Sequence, residues 1–109
     1  MGYDLYITRA EFWAENEGSQ ISSEEWLAVV DADPELTLAA DESTPYFAAW
    51  SGKSVHDEPW LDWFNGNVYS KNPDQPIIRK MLDIARHLKS KVQGEEGEDY
   101  DGSEEGFTL

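Results

Sequence analysis

The chain contains no cysteine. Disulfides, thiolate nucleophiles and thiolate metal ligands are excluded together, and the composition is compatible with a reducing cytoplasm. Histidine is nearly as scarce, with only His56 and His87. His56 sits in "VHDEPW" beside Asp57 and Glu58, a neighbourhood that chance often produces in loops. His87 lies between apolar positions and next to Arg86, as a surface or core-edge histidine does. Neither is assigned catalytic work. Bases are few as well: 8 Lys and Arg stand against 23 Asp and Glu, for a net charge of -15. A surface of that sign repels nucleic acid and anionic membranes and attracts basic proteins, whose encounter rate it raises. The same charge also serves solubility alone.

Recognisable chemistry is missing too. Neither "DADPE" nor "DYDGSEE" carries the alternating acids, the central glycine and the closing glutamate that a helix-loop-helix calcium site requires. There is no glycine-rich phosphate loop, zinc motif or nucleophile elbow. No catalytic residue, metal ligand or cofactor is therefore expected, and an enzyme is the weaker reading. "MGYDLYITRAEF" lacks a basic start and a long apolar run, so neither a signal peptide nor a transmembrane segment is expected there. Tyr6 occupies the position where a myristoylation motif needs Ser or Thr. A soluble, cytoplasmic protein is the expectation.

What is present suffices for a fold. The 109 residues are 39% hydrophobic and 13% aromatic, enough for one core and too short for two. "GYDLYITRA" alternates Tyr3, Leu5 and Ile7 against Asp4, Tyr6 and Thr8, the pattern of a strand with one buried face. In "ISSEEWLAVVDADPEL", Ser22 and Glu25 have capping-box spacing, Ile21 is placed to staple onto Trp26, and Trp26, Leu27 and Val30 share a helix face that ends at Asp33-Pro34. "ELTLA" and "PYFAAW" read as strands. "WLDWFNGNVYSK" reads as a hairpin on a type I′ Asn65-Gly66 turn, with Trp63 opposite Val68 and Asp62 opposite Tyr69. "NPDQPIIRKMLDIARHLKSKV" predicts a helix from about Asp74 to Ser90, capped by Asn72 or Asp74, that buries Ile77, Met81, Ile84, Ala85 and Leu88. These elements predict an α+β single domain: two helices on a small antiparallel sheet of three to five strands, without an alternating βα repeat.

The acids concentrate near the end, where "VQGEEGEDYDGSEEG" holds seven carboxylates and no base. By composition the stretch is equally a solvated tail or a surface for a basic partner. Val92 and Gln93 have the character to join the sheet, and Tyr100 to anchor on the body after a turn at Gly94 and Gly97. The domain is accordingly expected over 1–100, with 101–109 an acidic, flexible C-terminal tail. Aromatic residues crowd both faces of the Trp60–Phe64 strand, and a sheet with one solvent face cannot bury both. Trp and Tyr ringed by acids form the composition of a binding hot spot. The candidate partner-binding residues are Trp60, Asp62, Trp63, Glu95, Glu96, Glu98 and Asp99.

"GYDLYITRAEFW", "SSEEWLAVVDADPEL" and "NGNVYSKNPD…IIRKMLDIARHLKSKVQGEEGEDY" together resemble small acidic bacterial immunity proteins of interbacterial toxin systems. The resemblance covers Gly2 to about Tyr100, with Ala39 to Asp57 contributing least. It implies a cytoplasmic inhibitor that binds one cognate, basic toxin domain and occludes its active site, and it assigns no individual residue a role. Two alternatives stay open: a small enzyme or ligand-binding domain with carboxylates around an aromatic pocket, and a nucleic-acid mimic whose carboxylates are spaced like phosphates.

Overall fold

The computed structural model describes residues 4–39, 41–52 and 59–100. His56 and the 101–109 tail lie outside the described residues. Among the described residues, seven strands form one antiparallel sheet in the order β2-β3-β4-β5-β1-β6-β7. They are β1 (Asp4–Thr8), β2 (Leu36–Leu38), β3 (Ala48–Trp50), β4 (Trp60–Phe64), β5 (Asn67–Lys71), β6 (Lys91–Gly94) and β7 (Asp99–Tyr100). Helices α1 (Ser23–Ala32) and α2 (Gln75–His87) complete an α+β fold. The expected three to five strands become seven because the acidic stretch after α2 returns as the β6–β7 hairpin. Tyr100 in β7 packs against the core.

Period-two alternation sorts the sheet into two faces. Leu5, Ile7, Ala48, Leu61, Val68 and Val92 share one face and join Trp26 and Val30 of α1 and Ile77, Met81, Leu82 and Ile84 of α2 in a single buried cluster. Both helices therefore cover the same side. Helix α1 starts as its sequence dictates. Ser22 Oγ accepts from Glu25 N–H, the Glu25 carboxylate accepts from Ser22 N–H, and Ile21 and Trp26 are both fully buried. Leu27 is only half-buried, so the buried stripe of α1 is narrower than its apolar residues imply. Asp74, rather than Asn72, caps α2 by accepting from Ile77 N–H.

Helix α2 stops at His87, three residues short of the expected Ser90. The cause is a Schellman closure. Ser90 N–H donates to Ala85 C=O at 2.8 Å and Lys89 N–H to Arg86 C=O, with Lys89 in the left-handed region at φ 54°. That reversal aims the chain into β6. The β4–β5 turn has the expected geometry, with Asn65 at φ 53° and Gly66 at φ 87°, and pairs Asp62 with Tyr69 and Trp63 with Val68.

Candidate functional site

Among the described residues, no helix covers the second sheet face. A cross-strand row runs over five strands there, Asp62–Tyr69–Tyr6–Gln93–Asp99, flanked by the pair Asp4 and Lys71. The irregular segment after β1 folds back over part of this face. Its backbone is held by buried side chains: Gln93 Oε1 accepts from Trp13 N–H at 2.8 Å, Gln93 Nε2 donates to Glu11 C=O at 2.7 Å, and Asn67 Nδ2 donates to Trp13 C=O at 2.9 Å. Those bonds satisfy the buried amides of Gln93 and Asn67, and buried Asn16 donates from Nδ2 to Asn65 C=O and Asn67 Oδ1. The segment lays the Trp13 ring flat on Tyr6, with centroids 3.8 Å apart and planes 8° from parallel.

From Trp13 the rings continue across the face. Tyr6 meets Tyr69, Tyr69 meets the edge of Trp60, and Trp60 stacks on Phe47. Phe64, 70% exposed, stands beside this band as the most exposed large apolar side chain among the described residues. Carboxylates border it. Asp4 accepts from Tyr6 Oη at 3.4 Å, and Glu95 Oε2 accepts from Asp4 N–H at 2.7 Å. Burial, then the charges of Asp4 and Glu95, push the Tyr6 phenol up to about 12. Burial, then Asp62 and Asp4, raise that of Tyr69. Asp62 itself is only 9% exposed, and its sole hydrogen bond among the described residues comes from Trp63 N–H at 2.9 Å. Burial raises its carboxyl, and that backbone donor only partly opposes the shift.

Within this arrangement a groove of about 350 Å³ opens between Trp13, Tyr6, Tyr69 and Phe64, with Asp4 and Lys71 at one end. A larger hollow of about 550 Å³ lies between α1 and the end of α2, beside Glu25, Asp33 and His87. Its carboxylates are already engaged. Arg9 grips Glu25 through two nitrogens at 2.7 and 2.9 Å, and its hydrogen bonds are the main reason that the Glu25 carboxyl falls to about 2. Lys80 holds Asp33 at 2.6 Å. Among the described residues, no Phe, Trp or Tyr lines that hollow.

The seven candidate residues divide. Trp60, Asp62 and Asp99 belong to the helix-free face, and the Glu95 carboxylate turns towards it at Asp4. Trp63 points the other way: its indole donates to Ile21 C=O at 2.8 Å and meets Tyr46 edge-on beneath the helices. Glu96 and Glu98 are exposed at the β6–β7 turn, where Glu98 accepts from Glu96 N–H. Trp60 and Glu95 are separated by β5 and β1, a span of about 14 Å at the usual strand spacing. Sequence reasoning passed over Tyr6, Trp13, Tyr69 and Asp4. The alternation of β1 and the hairpin register contain the signal for Tyr6, Asp4 and Tyr69, whereas Trp13 sits in a segment without periodicity.

No family model, curated protein or solved structure matches the chain. Among the described residues, no three His, Asp or Glu side chains come together as a metal site, and no helix is long and apolar enough to cross a membrane.

Proposed function

We propose that the protein is a binding module for a basic protein, acting in the cytoplasm as an immunity protein against a cognate toxin domain and docking it on the helix-free sheet face. The observation that carries this reading is the band of rings from Trp13 to Phe47, bordered by Asp4, Asp62 and Glu95, on a chain of net charge -15. Half-buried rings supply apolar area at little entropic cost, and the acids orient and accelerate the encounter. Trp60, Glu95 and Asp99 are the contact residues on this view, and the buried Asp62 lies beneath them. Glu96 and Glu98 add long-range attraction, and Trp63 supports the hairpin from beneath. Occlusion of the partner's active site then requires only that its basic substrate-binding surface meet this face.

The test is purification of the tagged protein from its source cells, identification of what accompanies it, and co-expression of the two. The expected companion is basic and toxic alone, and the protein restores growth. Trp60→Ala with Tyr69→Ala abolishes rescue, whereas Arg79→Ala, on the exposed side of α2, retains it. An acidic companion, or full rescue by the double variant, contradicts the proposal.

One observation favours a second reading, a small ligand-binding or enzymatic domain: Asp62 is a buried carboxylate with a raised pKa near a concave aromatic site. The groove is lined by Asp4 rather than Asp62, which places the raised group beneath the face instead of in the hollow. Binding of a small neutral metabolite that Asp62→Asn abolishes would favour this alternative.

A further inference from the structure

We propose that the groove on the helix-free face seats one arginine side chain of the basic partner, its guanidinium packed among the Trp13, Tyr6 and Phe64 rings and paired with Asp4 in place of Lys71. This rests on the binding-module reading and names the contact at its centre. Four aromatic side chains and one carboxylate around a hollow of about 350 Å³ form the surroundings that favour a cation through ring faces and direct charge. The local balance is negative: Asp4, Glu95 and Asp62 act on the two tyrosines, and among the described residues Lys71 is the one base lining the groove.

Lys71 marks where the cation goes without filling the place. Its Nζ is 3.5 Å from Asp4 Oδ1, longer than a strong charge-assisted hydrogen bond, and its side chain is 58% exposed. A partner's side chain that makes both ring and carboxylate contacts displaces it at little cost. Arginine suits the hollow better than lysine because its planar, weakly hydrated guanidinium stacks on rings while its fork meets a carboxylate. Exposed Phe64 forms a wall with little else to do in the free protein.

The experiment titrates ¹⁵N-labelled protein with N-acetyl-arginine amide, its lysine counterpart and the neutral citrulline counterpart, following the Trp13 indole N–H. The arginine compound is expected to shift this signal saturably, the lysine compound more weakly, and the citrulline compound not at all. Asp4→Asn weakens binding about fivefold, the equivalent of one modest charge pair. Phe64→Ala, which removes an exposed ring and leaves the core intact, weakens it as well. Lys71→Ala tightens binding, whereas Arg79→Ala, an equal charge change on α2, does not. Equal shifts from arginine and citrulline, stronger binding of lysine, or tightening by Arg79→Ala as large as that by Lys71→Ala overturns the proposal. If the groove ignores arginine while the captured partner still perturbs Trp60, this proposal fails and the docking face stands. If arginine binds as described but the partner leaves Trp13 and Trp60 unmoved, the docking reading fails instead.

Discussion

Asp62 illustrates how a single residue ties stability to the face it underlies. An acid whose pKa is raised in the fold holds its proton more tightly there than in the unfolded chain. Its contribution is complete below the ordinary value of 3.8 and is lost as pH rises through the folded value. Above that, burial of the charge opposes folding, and Asp62→Asn is expected to raise the urea midpoint more at pH 7 than at pH 3, since an amide oxygen still accepts from Trp63 N–H. Met81, fully buried on the inner face of α2, works in the other direction: Met81→Ala should cost about 2–5 kcal/mol, and a loss below about 0.5 kcal/mol in denaturant unfolding would mean that this face is not the core. Met81 was legible from helical spacing alone. The burial of Asp62 was not, because alternation places it on the solvent side of β4.

At the scale of elements, local chemistry and global packing agree almost everywhere. The capping box, the Asp74 cap and the Asn65-Gly66 turn are set by neighbours a few residues away, so they could be read directly. Two boundaries could not be read this way. The end of α2 follows from a Schellman closure at a lysine, a residue that carries no sequence sign of a left-handed conformation. Lys89→Gly should relieve this strain and stabilise the fold by about 0.5–1 kcal/mol in denaturant unfolding, whereas Gly66→Ala should destabilise it by at least about 1 kcal/mol. A Cβ at Gly66 would lie 2.5 Å from Gln20 Cγ, in a residue already at φ 87°. Loss on Lys89→Gly, or tolerance of Gly66→Ala, would contradict these turn assignments. The other boundary is the segment from Arg9 to Gln20, polar and aperiodic, whose path across the sheet is fixed by Gln93, Asn67 and the Asn65 carbonyl, many residues away.

Over the whole molecule, two helices on one face leave a second face of rings and acids. Excess aromatic residues on β4 predicted that some would stay out of the core, and Trp60 and Phe64 do so. Trp63 differs from them because one-residue alternation turns it towards α1. With 23 acids against 8 bases, association with the proposed basic partner should slow as salt rises, with attraction screened beyond about 8 Å at physiological ionic strength. Stopped-flow association rates across a salt series measure this, and a flat profile would remove steering from the mechanism. The most direct test of the docking face uses the five tryptophans, whose indole N–H signals report on both sides of the sheet. In a ¹⁵N titration with the captured partner, the signals of Trp13 and Trp60 should move while those of Trp26, Trp50 and Trp63, on the helix side, hold still; movement of Trp50 with Trp13 and Trp60 unperturbed would contradict the account.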